Sequence, residues 1–131
     1  MKDLVRRAGR EREFLIASAA THTDNIWAGG SSPIYPDALA QLKKHHIPYT
    51  EKHAALLRRG DYEKYDLFPC MDGENMIFMR RIFGGDPQGK LHRLLEYAGE
   101  ARDVSDPWYT RDFDLAYEDI LRGCEALLGK F

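Results

Sequence analysis

"DLFPCMDGENMIFMRRIF", Asp66 to Phe83, contains the change of period that decides the fold class. Its first five residues, Asp66 to Cys70, are short and largely apolar, as a strand would be. Pro69 cannot donate a ladder hydrogen bond, which argues against a regular central position. Asp72 then offers a side-chain acceptor suited to a helix N-terminus. Met76, Ile77, Met79, Ile82 and Phe83 follow at helical spacing, and Gly84 and Gly85 close the run. A strand running into a capped helix is the repeating unit of a parallel α/β sheet.

The flanking sequence extends the alternation. "FLIASAA" (Phe14 to Ala20) is a short apolar run bounded by polar clusters and reads as a buried strand. A loop holding Trp27, Gly29, Gly30 and Pro33 follows it. "PDALAQLKKHH" sets Pro36 in a first-turn position and Leu39 and Leu42 on one face, so a helix is expected that ends before Pro48. "KLHRLLEY" (Lys90 to Tyr97) reads as a third strand. "DLVRRAG" near the start has Leu4, Val5 and Ala8 at helical spacing with a stop at Gly9. The last segment places Phe113, Ala116, Tyr117, Ile120, Leu121, Cys124, Leu127 and Leu128 on one helical stripe. The expectation is an α/β fold with a mostly parallel sheet and a single domain over residues 1–131.

Composition agrees and excludes other classes. The chain has 131 residues, 44% apolar and 31% charged, with a net charge of -2. A chain this long buries roughly two-thirds of its unfolded surface. The charge gives no electrostatic case for nucleic acid or an anionic membrane, and no apolar run approaches the ~18 residues of a membrane span. The basic "RRAGRER" lies beside acids and reads as a solvated helix end. No signal-peptide h-region is present. Cys70 and Cys124 are far apart and flanked by apolar residues, as buried thiols in a reducing cytoplasm would be.

Three local signals have bland explanations. "GGDPQGK" (Gly84 to Lys90) matches part of a phosphate-cradling loop. However, Leu91 stands where magnesium would need Ser or Thr, and the order is helix–turn–strand. A turn explains it. His45 and His46 are adjacent at a helix end, and His22, His53 and His92 have no ligand spacing, so no metal site and no cofactor are expected. Asp112, Asp114, Glu118 and Asp119 read as the start and wet face of the last helix.

"VSDPWYT", Val104 to Thr110, is harder to dismiss: an acid precedes a proline, and two large aromatics follow. Read alone, it is a turn with a partly buried aromatic pair. Together with "SAAT" (Ser18 to Thr21) and "YEKYDLFPCMDGENM" (Tyr62 to Met76), it resembles the low-molecular-weight protein tyrosine phosphatases, of bacterial type, in order along essentially the whole chain. The resemblance implies a three-layer sandwich, a small parallel sheet of four strands flanked by helices. It makes Asp106 the general acid that protonates a leaving phenolate, and Trp108 and Tyr109 the wall against the substrate ring. Elementary chemistry suits those roles, since a loop carboxyl reaches a leaving oxygen and flat aromatic faces suit a phenyl ring. Ser18 matches a serine that supports the family's phosphate loop.

The family's defining loop, a cysteine and an arginine separated by five residues, does not occur in these residues. Six positions after Cys70 comes Met76, and six after Cys124 comes Lys130. The family's histidine and arginine near "TEKHAAL" (Thr50 to Leu56) are replaced by Lys52 and Ala55, or by His53 one position off. On the resemblance, "MKDLVRRAG" corresponds to the middle of the family's first helix. The domain is then N-terminally truncated: the first, central strand and the phosphate loop are missing. Two origins fit: Met1 as an internal methionine of a longer active phosphatase, or a short gene for a non-catalytic relative. The retained acid and aromatics favour the first. The expectations are no phosphatase activity for the chain as given, a phosphotyrosine protein or aryl phosphate as substrate once completed, and self-association or a swapped dimer through the gap in the sheet. The alternative is a non-catalytic phosphatase-like binding protein.

Overall fold

The computed structural model describes residues 1–22, 34–50 and 55–131. The loop read around Trp27 to Pro33, and the readings of Lys52 and His53, lie outside the described residues. In chain order the elements are α1 (Lys2–Arg7), α2 (Pro36–Lys44), β1 (Phe68–Cys70), α3 (Gly73–Phe83), β2 (Leu91–Arg93), α4 (Pro107–Thr110) and α5 (Phe113–Leu128). Short 3₁₀ turns occupy Glu11–Glu13, Arg59–Glu63 and Leu94–Ala98.

The deciding stretch folds as read. Phe68 to Cys70 pairs in parallel with Leu91 to Arg93, Phe68 opposite Leu91. The Asp72 carboxyl then caps α3 by accepting from the Asn75 N–H at 2.7 Å. Gly84 ends the helix at φ 74°, a left-handed conformation that costs glycine little. The Phe68 N–H donates to the Lys90 carbonyl, so the alternation of a parallel ladder turns Pro69 to the opposite edge. There its missing N–H costs nothing. Among the described residues no strand is laddered to that edge.

"GGDPQGK" is the turn between α3 and β2. Its organiser is the Asp86 carboxyl, which accepts from Lys90 N at 2.8 Å, Leu91 N at 3.2 Å and the Tyr62 hydroxyl at 2.8 Å. Lys90 points inward, donating to the Tyr62 carbonyl at 2.7 Å.

Two cores form. Leu57, Tyr62, Phe68, Cys70, Met79, Phe83 and Leu91 join β1, β2 and α3. Leu94, Leu95, Val104 and Cys124 join the 3₁₀ turn after β2 to α5, with Met1 and Leu4 of the N-terminal region packed against them. The result is a small parallel sheet with its helices, an α/β fold.

Three expectations need correction. Among the described residues Phe14 to Ala20 is not a laddered strand: only Ala20 bridges, in parallel, to Leu56, with Ala20 N donating to the Ala55 carbonyl at 2.7 Å. An apolar run becomes a strand only where a neighbour pairs with it, and Leu15 is 82% exposed. "KLHRLLEY" is a strand only to Arg93. Alternation would turn one of two consecutive leucines outward, whereas the 3₁₀ turn buries both Leu94 and Leu95. On α5 the buried face is offset: Ala116, Asp119, Gly123, Cys124 and Leu127 are inside, and Ile120 is exposed. Asp119 is therefore not on the wet face.

Candidate functional site

"SAAT", the stretch through β1 into α3, and the residues that lead into "DPWYT" meet at the C-terminal end of β1. Directly after that strand, the Met71 carbonyl accepts from Val104 N at 2.8 Å. Gly73 N, at the start of α3, donates to the Asp103 carboxyl at 3.0 Å. The Asn75 side-chain amide donates to the Thr21 hydroxyl at 3.0 Å, which ties the end of "SAAT" to the same place. Carboxyl ends of parallel strands are where open α/β sheets place their ligands. Ser18, three residues before Thr21, is exposed.

Asp106 is half-buried and is the N-cap of α4. Its carboxyl accepts from Trp108 N at 2.9 Å, and its carbonyl accepts from Tyr109 N and Thr110 N at 3.1 Å. Pro107 has the fixed φ and missing N–H that a first helical position tolerates. Arg111 closes the single turn at φ 59°. The "DPWYT" stretch is thus both a turn and a carboxyl fixed at a helix start.

The aromatic pair is not a mutual stack. Trp108 is 59% and Tyr109 88% exposed. Trp108 packs on Tyr35 just before α2, ring centres 4.7 Å apart, and Tyr35 in turn stacks on Phe113 at 6.1 Å. Tyr35 is a third aromatic of this surface that sequence reasoning missed. Its cue was faint: a tyrosine beside the proline that opens a helix.

The stem of the acid loop holds a second missed feature. Asp119, 1% exposed, accepts from Arg102 at 2.9 and 3.1 Å, from Ser105 N at 3.0 Å and from Arg122 at 3.3 Å. Glu100 bridges the same two arginines at 3.1 and 2.7 Å. The Arg102 guanidinium holds the Asp119 carboxyl below the usual carboxylate range, and Asp119 in return raises the arginine. A buried carboxylate needs such partners. Nothing in the helical pattern distinguished Asp119 from its exposed neighbours.

Neither thiol is activated. Burial, then the nearby charges of Asp72 and Glu96, push the Cys70 thiol up to about 12. Burial also raises Cys124. A nucleophilic cysteine needs the opposite shift. Among the described residues no three His, Cys, Asp or Glu side chains converge as metal ligands would, and no helix is long and apolar enough to cross a membrane.

Comparison with known proteins bears on the family and the fold. The profile of the family described as low molecular weight phosphotyrosine protein phosphatase matches residues 1–131. The chain is 33% identical over 126 residues to the low molecular weight protein-tyrosine-phosphatase PtpA of Staphylococcus aureus, covering 95% of this chain and 79% of the relative. It is 34% identical over 88 residues to PtpA of Staphylococcus epidermidis, and that match covers 66% of this chain and only 55% of the relative's length. The crystal structure of YfkJ from Bacillus subtilis superimposes with a TM-score of 0.86 at 27% identity, covering 98% of this chain and 80% of that one. This chain belongs to the low molecular weight phosphotyrosine protein phosphatase family.

Proposed function

We propose that residues 1–131 form one domain carrying the leaving-group half of a phosphotyrosine phosphatase site, and that these residues alone do not turn over substrate. Asp106 supplies the proton for the departing phenolate. Trp108 and Tyr109 line the slot for the substrate ring, and Ser18 stands by as a loop support. The observation that carries this reading is the junction at the end of β1, where the Thr21–Asn75, Gly73–Asp103 and Met71–Val104 hydrogen bonds anchor the residues that lead into Asp106. The inactivity rests on the thiols. Both are buried with raised pKa, and neither precedes an arginine by six positions. The names of the relatives point to a phosphotyrosine protein as substrate.

The test is a graft: the N-terminal strand and Cys-x5-Arg loop that the family resemblance implies, fused ahead of Met1. The fusion is expected to hydrolyse an aryl phosphate, and Asp106→Ala to lower kcat by about 10²- to 10⁴-fold. A folded fusion whose turnover is indifferent to Asp106 refutes the assignment.

A second reading, a non-catalytic binding protein, draws on the exposed Trp108, Tyr109 and Tyr35. It requires measurable affinity of the unmodified chain for a phosphotyrosine peptide. Self-association is part of the proposal as well, because among the described residues the outer edge of β1 has no laddered partner and Leu15 is exposed to a second copy. Light scattering at tens of micromolar is expected to show a dimer; a clean monomer overturns that element.

A further inference from the structure

We propose that Asp119 is the positioning residue for Asp106, setting the place of the acid loop from α5; the proposal rests on reading Asp106 as the acid. Between Arg102 and Asp106 each residue has its own anchor. Arg102 is gripped by Asp119 and Glu100. The Asp103 carboxyl takes Gly73 N and lies 3.3 Å from Arg93. Val104 is buried and bonds the end of β1. Ser105 N is bound by Asp119. The next residue is Asp106, the cap of α4.

Of these anchors, Asp119 alone acts at two points of the loop, through the Arg102 side chain and the Ser105 backbone. It also sits mid-way along α5, whereas Gly73 is the first residue of α3. The same α5 carries Phe113, which touches Tyr35, and Tyr35 touches Trp108. One helix thereby fixes both the backbone before Asp106 and the ring two residues after it. A carboxyl that must meet a leaving oxygen within hydrogen-bond reach depends on such support, since small misplacements cost large factors in rate.

Amide hydrogen exchange on the 131-residue chain tests this without any turnover, so its outcome is independent of what Asp106 does chemically. In Asp119→Asn, exchange at Ser105 and Trp108 is expected to rise by at least about tenfold relative to the amides of residues 121–127. Asp106→Ala alone is expected to speed Trp108 exchange, because it removes that amide's acceptor. In the Asp119→Asn background the same change should add less than about twofold, which is the signature of coupling. If Asp119→Asn does not fold, Asp119→Glu decides. It keeps the charge for Arg102 and displaces the carboxylate from Ser105 N, so the two amides should still quicken selectively. Faster exchange at Ser105 with Trp108 unchanged overturns the proposal, as does a uniform rise across α5 or fully additive effects of the two substitutions.

Discussion

The Arg102–Asp106 stem and the Phe14–Ala20 run are opposites in composition and in outcome. The first is mostly polar, yet Arg102 to Ser105 are each tied to a partner distant in sequence. The second is mostly apolar, yet among the described residues its only ladder contact is at Ala20, and Leu15 lies in water. Apolarity favours burial only when something is present to cover it, whereas a buried carboxylate with matched donors creates order where it stands. Order at the candidate site therefore comes from specific partners more than from hydrophobic content.

The largest expected effect breaks the stem. Asp119→Ala leaves Arg102, Arg122 and Ser105 N without their shared acceptor and is expected to cost about 2–4 kcal/mol in denaturant unfolding. The same carboxylate sets an acid limb. Its folded pKa is lowered by Arg102, so its stabilisation is complete above the unfolded value of about 3.9 and is lost as pH falls through the folded value. Stability should decline below about pH 4 in the wild type, and that decline should shrink in Asp119→Asn.

Next comes the seat of α5. A Cβ added at Gly123 would lie 2.5 Å from Leu94 Cγ, inside a packed core. Overpacking costs about 1–3 kcal/mol, against a gain of roughly 1 kcal/mol from alanine in a helix interior, so Gly123→Ala is expected to destabilise. Tyr35→Ala removes its two aromatic contacts, to Trp108 and Phe113, each worth about 0.5–1.5 kcal/mol, and should shift Trp108 emission toward the solvent-exposed wavelength. The smallest effect sharpens the contrast: Leu15→Asp should change monomer stability by less than about 0.5 kcal/mol and act, if anywhere, on self-association.

Legibility followed locality. The cap at Asp72, the stop at Gly84, the first-turn Pro36 and the strand at Phe68–Cys70 depend on neighbouring residues, and all could be read from the sequence. The end of β2 at Arg93 and the Phe14–Ala20 run depend on which neighbours are within reach, which local pattern does not encode. At the site, Asp106, Trp108 and Tyr109 stood out as a motif. Asp119 and Tyr35 did not, because a buried acid on a helix and a tyrosine beside a loop acquire meaning only from what the fold sets against them.

The most direct measurement of the central claim is aryl phosphate hydrolysis by the purified 131-residue chain beside its Asp106→Ala variant. The account predicts no turnover above the buffer blank for either protein. Turnover by the unmodified chain that disappears in Asp106→Ala would contradict it, since the acid would then be serving a nucleophile that these residues themselves supply.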